Sequence, residues 1–325
     1  LSALLLFGAG LALLIFSAEL IVRHGSALAL AFGVNPLILG LTIVAIGTSA
    51  PELAIGITAG LNDSGSLAVG NIAGTNLVNV LLILGLSALM KPLPLHSRTI
   101  RMDLPMMIFA ATLMATLAWD GVLSTTDGIV MLLCAAAYTV TLIRQSQGES
   151  RAVKKEYKDM FGADGARTSG TEEKHVWVNA FYLAGGLALT VLGADWLVDG
   201  AVSIARALGW SEAVIGLTIV AIGTSAPELV TTIVGTLRNE RDVAVGNLLG
   251  SSIYNLLVIL GVPCLLAPGG IEVERQLLMF DIPLMTAVAF LCIPVFMTGR
   301  AVSRAEGGMF VGLYCAYLTW LLILR

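Results

Sequence analysis

The sequence predicts an all-α integral membrane protein whose ten transmembrane helices form two inverted five-helix repeats. Of the 325 residues, 57% are hydrophobic and only 12% charged, against about 25% charged in a soluble domain. Apolar runs of roughly 16 to 25 residues recur along the chain and do not alternate, which argues for helices rather than a β-barrel. The stretch GLTIVAIGTSAPEL stands at 40–53 and again, unchanged, at 216–229.

The runs fall at 1–22, 37–61, 67–90, 104–119 and 128–144, then at 176–198, 213–237, 243–267, 279–298 and 308–324. Each is long enough, or nearly so, to cross a hydrocarbon core of about 30 Å. The first lacks the basic leader of a signal peptide, and its counterpart at 176–198 is internal. The second and seventh carry the repeated motif. In the third and eighth, Ala68-Val-Gly-Asn71 returns as Ala244-Val-Gly-Asn247, and Gly74-Thr-Asn-Leu-Val-Asn79 as Gly250-Ser-Ser-Ile-Tyr-Asn255. The fourth and ninth follow Asp103-Leu-Pro and Asp281-Ile-Pro, where an acidic cap would favour the positive helix terminus. Between the fifth and sixth runs, residues 145–175 are charged and poor in large apolar groups, which predicts a linker with one short helix around 151–161.

The chain therefore divides into a first repeat (1–144, motif 40–79), the linker, and a second repeat (176–325, motif 216–255). Five is odd, so the second half must enter the membrane from the opposite side. Inverted repeats of this kind place substrate where their interrupted helices meet near the midplane. Threading ten spans leaves all but Arg206, Arg275 and Arg325 of the 18 lysines and arginines on one side. The positive-inside rule makes that side, with the linker, cytoplasmic and puts both termini outside. The expected location is the cell membrane, plasma or inner. The four cysteines, Cys134, Cys264, Cys292 and Cys315, read as small core hydrophobes. The histidines, His24, His96 and His175, fall in expected loops or at their borders.

Within the motif, Pro51 and Pro227 have no N–H, so the carbonyls of Gly47 and Gly223 lose their helical partners. Broken backbone at membrane depth is tolerated only where it faces protein, water or an ion. Thr48 and Ser49 lie four and three residues before Glu52, so hydroxyls and carboxylate can share one helical face. An acidic side chain at the bilayer centre costs about 2.5–3.5 kcal/mol on insertion scales. Two such residues, Glu52 and Glu228, occupy symmetry-equivalent places. Brought together, they repel unless a cation or proton lies between them. The donors on offer are hard oxygens, which suit Ca²⁺ or Na⁺ rather than zinc or copper. Thr75 with Asn79 and Ser251 with Asn255 are spaced i to i+4, each able to aim a hydroxyl and an amide at one point. Small-residue runs also serve plain helix packing, and such amides plain interhelical bonding. Recurrence of the complete motif with an intramembrane Glu in both halves favours the ion. Asn71 and Asn247 are secondary candidates. Glu19 and Asp195 read as solvated or structurally paired acids.

At these residues the chain resembles the calcium/cation antiporter superfamily, and within it the sodium/calcium exchanger branch. That family carries two repeats with a Gly-Thr-Ser-x-Pro-Glu-like core followed by Gly-Ser-Asn-x-x-Asn-like residues. The resemblance implies exchange of cytoplasmic Ca²⁺ for external Na⁺, commonly three for one, by alternating access, with the first and sixth helices sliding across a core made by the others. It implies Ca²⁺ between Glu52 and Glu228 with oxygens from Thr48 and Thr224. Na⁺ would use the same glutamates with Ser49, Ser225, Thr75, Ser251, Asn79, Asn255 and the carbonyls of Ala45 and Ala221. Potassium-dependent relatives carry Asp where this chain has Asn255, which argues against K⁺ dependence. Proton-coupled relatives resemble Gly-Asn-x-x-Glu at the motif, where Thr-Ser here favours sodium.

The alternative within transporters is Ca²⁺/H⁺ antiport through a protonatable Glu pair. Intramembrane acids would also permit a passive cation channel, though paired interrupted helices favour alternating access. No His-based metal motif and no nucleophile with its base points to an enzyme. No resident cofactor, nucleic acid or obligate protein partner is expected; the partners are Ca²⁺ and Na⁺ as substrates and the lipid bilayer.

Overall fold

The computed structural model describes residues 2–32, 36–62, 65–161, 169–209 and 221–324. With no water to satisfy backbone groups in hydrocarbon, apolar segments close their own hydrogen bonds as helices. In order these are α1 (Ser2–Ala31), α2 (Leu37–Thr48), α3 (Ala50–Leu61), α4 (Gly65–Met90), α5 (Thr99–Asp120) and α6 (Thr125–Phe161). There follow α7 (Ser169–Ala207), α8 (Ala221–Thr224), α9 (Ala226–Leu237), α10 (Arg241–Leu266), α11 (Leu277–Met297) and α12 (Arg304–Leu324). Among the described residues seven helices are long and apolar enough to cross a membrane, or eight with α2 and α3 counted as one span bent by 46°. The start of the expected seventh span and the opening of the second motif, through residue 220, lie outside the described residues.

Several helices outrun their apolar cores. Helix α1 continues past Arg23 because the polar residues there find partners on other helices. The His24 ring hydrogen-bonds Asn179 Oδ1 at 2.8 Å and stacks on Tyr182, and Ser26 Oγ donates to Glu240 Oε2 at 2.8 Å. His24 and His175 therefore lie within helices, not in loops. Helix α6 absorbs the separate helix expected at 151–161, since 149–161 is rich in helix formers and lacks proline. The rest of the linker interior, 162–168, lies outside the described residues.

Asp103 and Asp281 do not cap helices. Pro105 and Pro283 lack the N–H that would reach four residues back, and the helix widens there instead of ending. Leu104 N–H bonds Thr99 O and Ile282 N–H bonds Leu277 O, both five residues back. The two aspartates are thereby drawn inside continuous helices and buried, accepting hydrogen bonds from Tyr138 (3.1 Å) and Tyr317 (3.0 Å).

Helices α4 and α10 are central, with 78% and 83% of their apolar windows buried against 33% and 22% for α1 and α7. Around them α5, α6, α11 and α12 complete one core that includes Leu81, Tyr254, Phe296 and Phe310. Helices α1 and α7 pack along each other as a separate pair. Their backbones nearly touch: a Cβ on Gly10 would stand 2.4 Å from Leu197 N, and one on Gly200 2.5 Å from Phe7 N. Two short antiparallel pairs tie loops of the first half to loops of the second. Strand β1 (Leu93–Pro94) pairs with β4 (Ala301–Val302), and β2 (Val122–Leu123) with β3 (Ile271–Glu272). Cys264 and Cys292 are buried as expected, Cys134 is half-buried, and Cys315 is exposed on the outside of α12.

The contact that positions the site is between α2 and α10. A Cβ on Gly246 would lie 2.5 Å from Leu37 O, and one on Gly250 would lie 2.6 Å from Leu41 O. Gly246→Ala should therefore lower stability by about 1–3 kcal/mol through overpacking. Thermal unfolding in detergent reads this against Gly312→Ala, whose added methyl meets nothing within 4 Å.

Candidate ion-binding site

The two breaks share one geometry. Ser49 has φ −83° and ψ 13°, Ser225 φ −86° and ψ 7°, and each precedes a helix with Pro in its first two positions and Glu in its first turn. Proline costs a helix little there, because that N–H has no intrahelical acceptor anyway. The carboxylates of Glu52 and Glu228 lie at the positive ends of α3 and α9, which favours negative charge. Both glutamates are fully buried, and two carboxylates brought together there repel unless a cation or proton lies between them.

The halves are laid crosswise. The widened turn Asn255–Ile259 in α10 packs against α3, the helix of Glu52; the widened turn Val78–Leu84 in α4 packs against α9, the helix of Glu228. Each half's glutamate-bearing helix is therefore packed on the other half's asparagine turn. Hydrogen bonds cross the same boundary. Ser49 Oγ donates to Glu228 Oε1 at 3.1 Å. Thr48 Oγ1 lies 3.2 Å from Ala45 O, 3.1 Å from Asn247 Oδ1 and 3.5 Å from Ser251 Oγ. Ser251 Oγ also donates to Ala45 O at 3.4 Å. Thr48 has one proton, which serves one acceptor at a time. When it goes to Asn247, the lone pairs of Thr48 are left for a cation, while the Ala45 carbonyl still accepts from Ser49 N–H (3.2 Å) and Ser251 Oγ.

Among the described residues several oxygens here have no protein partner: Glu52 Oε1 and Oε2, Glu228 Oε2, Ser225 Oγ, Thr75 Oγ1, Asn79 Oδ1 and Asn255 Oδ1. Buried polar atoms left so cost about 1–3 kcal/mol each, and clusters of them call for a ligand. Glu52, Glu228, Thr48, Ser49, Ser225, Thr75, Ser251, Asn79, Asn255 and Ala45 are buried; Thr224 is 9% exposed. Ala221 opens the helix that leads into Thr224. Among the described residues, Thr75 Oγ1 and the Asn79 amide have no hydrogen-bond partner, and the turn that holds Asn79 meets the Glu228 helix by packing. Asn247 enters through Thr48, whereas Asn71 is half-buried. Glu19 pairs with Arg238 at 2.8 Å, and Asp195 is exposed. Thr231, one turn beyond Glu228, has a buried, unpartnered hydroxyl. Comparison of the halves hides it, because Ile55 stands at the equivalent place in the first; the i+3 spacing from Glu228 is the signal that marks it.

A many-helix membrane protein with two interrupted helices and a buried set of hard oxygens around paired carboxylates belongs to the class of cation transporters. A family model described as sodium/calcium exchanger protein matches residues 2–144 and 178–323. The chain is 35% identical over 322 residues to the inner membrane protein YrbG of Escherichia coli (strain K12), covering 97% of this chain and 94% of that protein. It is 32% identical over 339 residues to the sodium/calcium exchanger MaX1 of Methanosarcina acetivorans, covering 95% of each. Its fold superposes on the sodium-calcium exchanger NCX_Mj, soaked with 2.5 mM Na⁺ and 0.1 mM Ca²⁺, at a TM-score of 0.81 and 27% identity, over 99% of this chain and 98% of that one. The chain belongs to the sodium/calcium exchanger family. It is an integral membrane cation exchanger.

Proposed function

We propose that the chain is a secondary active antiporter that exchanges Ca²⁺ for Na⁺ by alternating access, electrogenically and without K⁺. The observation that carries this reading is the buried Glu52/Glu228 pair, with Ser49 of the first half hydrogen-bonded to Glu228 of the second and, among the described residues, unpartnered hard oxygens around them. The ten-span inverted-repeat plan is part of the proposal. It is supported by the matching breaks at Ser49 and Ser225 and by the crosswise packing of each glutamate helix on the opposite asparagine turn.

In the proposed cycle Ca²⁺ sits between the two carboxylates with Thr48 and Thr224. Na⁺ ions take the same glutamates together with Ser49, Ser225, Thr75, Ser251, Asn79, Asn255 and the carbonyls of Ala45 and Ala221. Shared ligands make occupancy by the two ions competitive, which is the physical basis of coupling. Two carboxylates balance one Ca²⁺, while three Na⁺ leave one positive charge in excess. The α1–α7 pair, packed on itself beside the core, is the element that slides. Residues 91–101, 238–242 and 300–304 gather at one end through the Lys91–Asn239 bond, the His96–Asp242 pair (2.9 Å) and the β1–β4 pairing. The positive-inside rule makes that basic end, and the linker, cytoplasmic.

Purified protein in liposomes should take up ⁴⁵Ca²⁺ under an outward Na⁺ gradient, with no change when K⁺ is replaced by choline. The current should reverse sign when the two gradients are exchanged. Folded protein that moves Ca²⁺ only under a pH gradient would replace this reading with proton-coupled exchange. Ca²⁺ flux without any counter-ion would mean a channel.

A further inference from the structure

The two halves bear equivalent apolar grooves on their outer faces. One, between α11 and α12, has a volume of about 650 Å³ and runs past Phe280, Leu284, Leu313, Tyr317 and Trp320. The other, between α5 and α6, has a volume of about 470 Å³ and runs past Met102, Met106, Phe109, Cys134 and Tyr138. The grooves differ at the end where α5 and α11 begin. The second half has Met279 there, exposed to 57%. The first half has Arg101, which lines both the groove and a second cleft of about 340 Å³ formed with Ser97, Ile100, Met297 and Arg300.

Among the described residues no acidic side chain lines that cleft, and neither Arg101 nor Arg300 forms an ion pair. Arg300 holds φ 52°, directly after Gly299 at φ 68°, a left-handed conformation unfavourable for a residue with a Cβ. It is fixed there by Leu95 N–H, which donates to Arg300 O at 2.8 Å, and its Nη1 lies 3.5 Å from Ser97 Oγ. Arg101 from the first half and Arg300 from the second thus line one cleft, and Arg101 joins that cleft to the apolar groove. Arginine forks match phosphate oxygens, and the volume of the cleft falls in the range of about 300–1,000 Å³ typical of small-molecule sites.

We propose that this is a site for an anionic phospholipid, its phosphodiester between Arg101 and Arg300 and one acyl chain in the α5–α6 groove. An amphiphile is required because Arg101 belongs to both spaces. The inference holds whichever ion drives exchange; placing the lipid in the cytoplasmic leaflet, where anionic headgroups attract basic clusters, rests on the proposed sidedness.

The test is native mass spectrometry of the full chain in detergent with dioleoyl phosphatidylglycerol, dioleoyl phosphatidylcholine or inorganic phosphate. Phosphatidylglycerol should be retained about tenfold or more over phosphatidylcholine. Arg101→Gln with Arg300→Gln should abolish that preference, while Arg275→Gln, at the other end, keeps it. Cys134→Trp, which fills the groove but leaves both arginines, should also lose the lipid. Equal retention of the two lipids, undiminished retention in the double variant or in Cys134→Trp, or phosphate bound as firmly as the lipid would each overturn the site. None of these readouts involves ion exchange, so failure of the antiport reading would register separately.

Discussion

Glu52→Gln should abolish Na⁺-driven Ca²⁺ exchange, and Glu228→Gln should do the same. Removing one partner from a buried ionic site costs about 3–5 kcal/mol, on the order of a hundredfold to several thousandfold in affinity. Here the lost partner carries half the negative charge that opposes Ca²⁺. The fold should not suffer. Without an ion two buried carboxylates repel, and among the described residues Glu52 has no hydrogen bond to either side-chain oxygen. A neutral amide removes that repulsion, so ion-free Glu52→Gln should melt at or above the parent temperature. The upward shift of melting that Ca²⁺ confers on the parent, by binding only the folded state, should vanish. Glu228→Gln should differ in one respect, because Glu228 Oε1 accepts the bond from Ser49 Oγ. An amide can keep that bond only with its carbonyl oxygen turned toward Ser49, so stability gains less than in Glu52→Gln. A variant with normal Ca²⁺ flux and a normal Ca²⁺-induced melting shift would remove the pair from the site.

How far the sequence discloses this site depends on which part of it is local. The break is local: Pro51 and Pro227 delete a donor whatever surrounds them, and Ser49 and Ser225 take the same backbone angles. Spacing suggests one helical face for Thr48, Ser49 and Glu52, but across the break Ser49 Oγ bonds Glu228 and Thr48 Oγ1 meets Asn247 instead. What identical letters cannot disclose is their different use. Residues 40–53 and 216–229 are the same fourteen residues, yet Ser49 Oγ reaches Glu228 while Ser225 Oγ has no partner among the described residues. That difference arises from how the two halves meet.

Helix ends are hidden for the same reason. His24 and Ser26 look like the end of a span until Asn179 and Glu240 supply partners from more than 150 residues away. Asp103 looks like a cap because it precedes Leu104-Pro105. Nothing nearby announces that Tyr138, on the following helix, will take its carboxylate into the core. The backbone approach of α2 to α10 at Gly246 and Gly250 is legible only as a run of small residues; the partner that makes it specific is in the other half.

Replacing Pro51 by Ala tests whether the broken backbone, and not the glutamate alone, makes the site. The substitution returns an N–H at position 51 that can bond Gly47 O, so the helix can run on through Ser49 where it now bends by 46°. Straightening re-aims the Ala45 carbonyl and Thr48, which now meet Ser251 and Asn247 across the boundary, and it displaces Glu52 at the start of α3. Because Pro51 occupies a helix start, where its missing donor costs little, the variant should be as stable as the parent or slightly more so. Exchange should fall at least about tenfold, the cost of losing roughly one well-placed ligand contact. Pro227→Ala should behave alike, and the double variant should be worse than either. Both affinities should weaken together, since Ca²⁺ and Na⁺ share these ligands in the proposed cycle. Calorimetric titration of each ion, beside the flux assay, distinguishes that outcome from a purely kinetic defect. A double variant that exchanges at the parent rate would show that the carboxylates and hydroxyls suffice in a continuous helix, and that the prolines are only kinks.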